Sequence, residues 1–223
     1  ALYGRSIWND FTINLRQGNV VLWLITINLG IFILQAFVGI IGFLFMANRA
    51  VFEIFYQNYF YAPSNLSNLF YRPWTVLTYA FFHADFWHIL FNLLYLYWFG
   101  RIFQVYHSEK RLLNLYLLGA LVGSAFYILS YNTFPVFEQA KHQAYLLGAS
   151  GAVWSIIAAA MATNPTYRIR LFIIGSVPLW GIVLFMFGRD LLSFQSNPGG
   201  ILAHFGGMIT GFSFVGLYRR GYN

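Results

Sequence analysis

Cysteine is absent from all 223 residues, so neither a disulfide framework nor a thiolate metal site is available. Charge is almost as scarce. Asp, Glu, Lys and Arg together make up 9% of the chain, against about 25% in an ordinary soluble domain. Too few charges remain to clothe a water-facing surface. What fills their place is apolar: 59% of the residues are hydrophobic and they run in long blocks, which reads as an integral membrane protein. No internal repeat is found, which disfavours an inverted-repeat transporter. The signature of a cleaved signal peptide is missing too. Ala1–Asn19 is polar and mixed, with Trp8, Phe11 and Leu15 among Arg5, Asp10 and Arg16, and the apolar run after it is too long for a signal core. A short helix lying on the membrane surface is expected there. The net charge of +7 raises nucleic acid as a partner. In a membrane protein, however, its distribution between loops matters more than its sum, so none is expected.

Six segments are apolar enough to cross a bilayer, which takes about 20 residues per helix. They are Val20–Ile41, with the run continuing toward Met46, then Trp74–Gly100, Leu112–Tyr131, Leu147–Thr163, Leu171–Phe187 and Gly200–Leu217. The fourth and fifth are short, which fits burial inside a bundle. With the N-terminus cytoplasmic, nine of the 13 Lys and Arg fall on the inner side and four on the outer. That excess puts both termini inside, by the positive-inside rule. The expected organisation is an all-α membrane protein with an N-terminal segment over 1–19, one six-helix domain over 20–217 and a tail over 218–223. The long first loop, Gly42–Pro73, is rich in Phe, Tyr and Asn. Such a composition suits a structured element at the membrane interface, where Tyr and Trp rings are favoured.

Polar side chains inside hydrocarbon are costly, and each is a functional hypothesis by default. In the second span, His88 and Asn92 are four apart and share one helix face, where both can donate hydrogen bonds. His83 points elsewhere and is expected to be structural, tying down the first loop. Asp85 is expected at the water interface with no catalytic role. The fourth span opens with Gly148-Ala149-Ser150-Gly151. Gly151, Ser155, Ala158 and Ala162 then form a stripe of small residues of the kind that lets helices approach closely. For an isolated Ser150, packing is the simplest role. The motif also lacks the final Gly of the Gly-x-Ser-x-Gly nucleophile elbow. The sixth span, however, places His204, Gly207 and Gly211 on one face. If the Gly207/Gly211 stripe packs on the Gly151/Ser155 stripe, His204 is drawn toward Ser150. A zinc site at His83, His88 and His204 is disfavoured. There is no His-Glu-x-x-His, and no carboxylate falls in the expected spans after Asp85.

Taken together, His83-x-x-x-x-His88-x-x-x-Asn92, Gly148-Ala149-Ser150-Gly151 and Ala203-His204-x-x-Gly207-x-x-x-Gly211 resemble the rhomboid intramembrane serine proteases. Order, spacing and host helix all agree, from about Arg72 to Gly211, and the six-span count fits the basic bacterial form. The resemblance implies a Ser-His dyad without a third carboxylate: Ser150 as nucleophile, and His204 as general base and then general acid. His88, Asn92 and the backbone N–H of Ser150 would bind the oxyanion, and no cofactor is implied. The absence of Asp and Glu from the last three expected spans agrees with a dyad. The sequence also departs from the family pattern. Trp154 stands where a Tyr commonly faces the catalytic histidine. Trp74 is followed by Thr75 rather than Arg, with Arg72 two residues earlier. Gln104 replaces a common Glu.

The implied substrate is a transmembrane protein segment that unwinds near its outer end, since an intact helix hides its peptide bonds. Hydrolysis needs water, so the cavity is expected to open to the extracytoplasmic side, in the bilayer of a bacterial inner membrane. Lateral entry between the second and fifth helices is implied, with Phe91, Phe185 and Phe187 as gate residues. Two rivals remain at this stage: an inactive rhomboid-like binder of membrane proteins, and a transporter that uses the same polar pocket.

Overall fold

The structure, a computed structural model, describes residues 18–45, 48–171 and 175–222, with only the backbone of Arg49 and Leu171. The surface helix expected over Ala1–Asn19 therefore lies outside the described residues, apart from its last two positions, as does Met46. The chain is mainly helical. In order, it forms α1 (Val20–Leu44), α2 (Arg49–Tyr59), β1 (Ala62–Pro63), α3 (Leu66–Tyr71), α4 (Thr75–Thr78), a 3-10 turn over Tyr79–Phe81 and α5 (Phe86–Gln104). It continues through α6 (Glu109–Thr133), β2 (Tyr145–Leu146), α7 (Ser150–Thr163), the strands β3 (Arg168–Leu171) and β4 (Gly175–Pro178), α8 (Leu179–Leu192) and α9 (Pro198–Arg219). α1, α6 and α9 are long and apolar enough to cross a membrane by length and composition.

The core is built around α7. From Gly151 to Ala160 every residue is buried, which a helix only 14 residues long achieves by packing on α9, α6 and α5. Its small residues set that closeness. A Cβ on Gly207 would fall 2.1 Å from the Gly151 carbonyl oxygen, and one on Gly211 would fall 2.3 Å from that of Ser155. The expected match between the two stripes is thus a physical contact of α7 with α9. Ser155 extends it to α6, where its hydroxyl donates to the Leu115 carbonyl at 2.9 Å.

Two expected spans are corrected. Trp74–Gly100 is not one helix. Asp85 adopts extended backbone and accepts the His88 N–H at 3.0 Å, starting α5 there as an N-cap. The residues before it fold as α4 and the 3-10 turn, pinned to α6 by Tyr116 donating to Ala80 O and Ser124 donating to Val76 O. Hydropathy alone does not register such a break. The fifth span also shifts. Leu171–Phe187 begins in a β-hairpin, with Arg168 opposite Pro178 and Leu171 opposite Gly175, and the helix starts only after Pro178. It then runs past Phe187, through Arg189 and Asp190, to Leu192. It is buried on one face only: Leu179, Val183 and Met186 are buried, whereas Trp180, Leu184, Phe185 and Leu192 are exposed.

The first loop is structured, as its aromatics led us to expect. Arg72 donates to Asn58 O at 2.6 Å and lies over the Tyr59 ring, while Trp74 Nε1 donates to Tyr59 O. β1 pairs antiparallel with β2, Ala62 opposite Leu146 and Pro63 opposite Tyr145, which ties the loop to the chain just before Gly148. On the opposite side of the bundle, Gln104 donates to Glu109, which also accepts the Val20 N–H at 2.8 Å. An acidic group is therefore present at this junction, supplied five residues later than Gln104.

Candidate active site

Ser150 is the first residue of α7 and is partly exposed, unlike the residues that follow it. The turn before it is held from several sides. Gly148 N donates to Tyr79 O at 3.0 Å. Ala149 N makes a long bond, 3.4 Å, to Nε2 of the buried His83. Gly148 has φ +117, a conformation that L side chains rarely adopt. A Cβ there would also fall 2.6 Å from Nε2 of His88. No side chain caps α7, so the first-turn N–H groups, including that of Ser150, are free to face an anion.

His88 and Asn92 come from the first two turns of α5. Asn92 is buried and donates to His88 O at 2.8 Å, which leaves its second amide hydrogen available. The Ala84 N–H points at His88 Nδ1, 3.4 Å away. With Nδ1 accepting, the proton sits on Nε2, the atom lying against Gly148. A donor is thus aimed at the turn that carries Ser150.

His204 arrives from α9 and is buried. A Cβ on Gly151 would fall 3.3 Å from the oxygen of Ala203, the residue before His204. The Trp154 ring lies 5.8 Å from that of His204 at 36°. Ser150 and Trp154 are one turn apart on the same face of α7, so His204 lies against the Ser150 end of that helix. Trp154 can pack there without a phenolic hydroxyl.

The structure adds one residue that falls just outside the expected fifth span. Asp190, in the last turn of α8, is buried, and its Oδ2 lies 2.6 Å from His204 Nδ1. Its Oδ1 accepts from Arg189 at 2.9 Å. The expectation that no carboxylate lies in the last three spans is therefore corrected. It failed because the fifth span was ended at Phe187, before the adjacent charges. A charged pair closing an apolar helix 14 residues before a histidine was the available signal. His83 lies outside α5, with its ring 5.1 Å from that of His88. Among the expected gate residues, Phe91 and Phe185 are exposed on α5 and α8, whereas Phe187 packs on Phe205, 5.9 Å away.

Comparison with known proteins places these features in context. The family model described as "Rhomboid domain" matches residues 71–221. The chain is 29% identical over 229 residues to RHOMBOID-like protein 12, mitochondrial, of Arabidopsis thaliana, covering 98% of this chain and 64% of that protein. It is 30% identical over 94 residues to Rhomboid protein 1, mitochondrial, of Saccharomyces cerevisiae, covering 42% of this chain and 26% of that protein. The chain thus spans less than two thirds of either relative's length.

Proposed function

Because the chain belongs to the rhomboid family, we propose that it is an intramembrane serine endopeptidase that cleaves transmembrane segments with Ser150 as nucleophile and His204 as base. The observation that carries this is the convergence at the start of α7. A partly exposed Ser150 follows a turn against the His88 donor, and a buried imidazole lies on the same helix face beside Trp154.

A serine hydroxyl attacks well only if a base takes its proton as it does so. The imidazole of His204 is the group at this site able to take that proton and later return it. The negative charge that develops on the carbonyl oxygen would be met by His88 Nε2–H, the free Asn92 amide hydrogen and the Ser150 N–H. One such donor is typically worth about 2.7–4 kcal/mol of barrier. The substrate is a membrane segment whose helix opens, because hydrolysis needs an exposed peptide bond. The half-exposed α8, packed mainly on α7 and β4, is the element best suited to move aside. Phe91 and Phe185, exposed on α5 and α8, are the gate residues proposed for entry between those helices.

The protein is an integral membrane protein. We place both ends of the bundle on its more basic face and the Ser150 mouth on the other, following the charge count. The bacterial inner membrane is the location proposed, while both relatives carry a mitochondrial name.

The test is covalent labelling of the purified protein with a fluorophosphonate. We expect labelling that is lost in Ser150→Ala and in His204→Ala, with cleavage of a reconstituted transmembrane substrate lost in parallel. An unlabelled wild-type protein, beside a labelled control protease, would favour a rhomboid-like binder of membrane proteins instead.

A further inference from the structure

We propose that Asp190 is the positioning residue of the site: it holds His204 with its proton on Nδ1, so that Nε2 is the basic nitrogen presented to Ser150. This rests on the protease reading and turns its two-residue machinery into three linked side chains.

The geometry carries the inference. An ionised carboxylate only accepts hydrogen bonds, so the 2.6 Å contact between Asp190 Oδ2 and His204 Nδ1 puts the proton on Nδ1. That distance lies at the short end for a charge-assisted bond. The other carboxylate oxygen is also occupied, by Arg189 Nη2 at 2.9 Å. Asp190 is thus clamped from both sides, with its side chain 3% exposed. A buried carboxylate is costly unless paired and hydrogen-bonded, and this one is placed where both needs are met by a single histidine and its own neighbour. Trp154 covers the imidazole from α7. The ring orientation of His204 is therefore set by α7 and α8, not by α9 alone.

The chemistry balances without a proton leaving His204 toward Asp190. As Ser150 Oγ forms its bond to the scissile carbon, its proton passes to His204 Nε2. The Nδ1 proton stays in place, and the carboxylate faces the resulting imidazolium. Nε2–H then protonates the leaving amine nitrogen as the C–N bond breaks. A water molecule repeats the sequence to release the acyl group.

A helix that is only loosely attached to the bundle also supplies the residue that orients the base. If α8 swings aside to admit substrate, the Asp190–His204 contact opens with it. Closure of α8 and readiness of the base are thereby joined.

The test uses the whole chain in detergent with 15N-labelled histidine, and follows fluorophosphonate inactivation. Asp190→Asn is expected to lower the limiting inactivation rate by about 10²-fold or more, with half-saturating probe concentration little changed. Asp190→Glu should recover part of the rate. The 15N signals of His204, assigned with His204→Gln, should show Nδ1 protonated in wild type and a redistributed tautomer in Asp190→Asn. A wild-type rate in Asp190→Asn overturns the proposal. So does a slowed rate with the tautomer unchanged, since Asp190 would then act only on the fold. If wild type is not labelled at all, the protease reading fails, and the tautomer measurement still decides what Asp190 does.

Discussion

At the scale of single residues, His83 shows how a buried side chain outside α5 can hold the turn before Ser150. Its Nε2 accepts the Ala149 N–H immediately before Ser150, so it must stay neutral to do so. Burial pushes its imidazole down to about 3 from the ordinary 6.5, with neighbouring His88 acting in the same direction. A histidine that binds its proton more weakly when folded stabilises the fold above its unfolded pKa and loses that contribution as pH falls. The window therefore runs from about pH 6.5 down toward 3. His83→Gln keeps an acceptor for Ala149 and removes the titration. Melting temperatures between pH 7.5 and 4.5 should then fall less steeply for the variant than for wild type. Equal slopes would show that the acid sensitivity arises elsewhere. Gly148 is the complementary case: its φ of +117 and its contact with His88 were not legible in the sequence. A Gly in Gly-Ala-Ser-Gly reads equally well as packing or as turn.

Among the elements, the pairing of α7 with α9 was the most legible feature, because a stripe of small residues encodes close approach directly. It also gives a sharp prediction. Gly207→Ala or Gly211→Ala drives a methyl into backbone on the facing helix, which cannot yield as a flexible side chain can. The expected loss is about 1–3 kcal/mol of stability, together with reduced labelling of Ser150. Gly216→Ala, on the exposed part of α9 with nothing within 4 Å, should be neutral or stabilising by up to about 1 kcal/mol. Equal melting temperatures for Gly207→Ala and Gly216→Ala would refute the packing argument. The second and fifth spans were less legible. Hydropathy does not distinguish Gly175–Pro178 as strand from helix, and it ends a span at the first charges. Here those charges, Arg189 and Asp190, belong to the last turn of α8. The break before α5 was signalled by Asp85, a residue type that favours N-caps, but the aromatic run Tyr79–Phe82 masked it.

For the molecule as a whole, the lack of cysteine becomes an experimental asset, since any thiol introduced is the only one. Gln139→Cys, in the exposed turn between α6 and β2, and Lys110→Cys, at the start of α6, lie at opposite ends of α6. An impermeant maleimide applied to spheroplasts should label Gln139→Cys in intact membranes and Lys110→Cys only after permeabilisation. The reverse pattern would invert the orientation derived from the basic loops. The asymmetry of α7 then acquires a meaning of its own. Its far end is fastened where Arg219, in the last turn of α9, donates to Ala162 O at 2.7 Å. From there its 14 residues reach only about 21 Å, against a hydrocarbon layer of about 30 Å. The helix is in effect a depth gauge. Under the proposed orientation, a helix anchored at the basic face would stop short of the opposite one and hold the Ser150 hydroxyl beneath that boundary. If the protease proposal holds, the bond cleaved would then be set by distance below the lipid headgroups as well as by the residues flanking it.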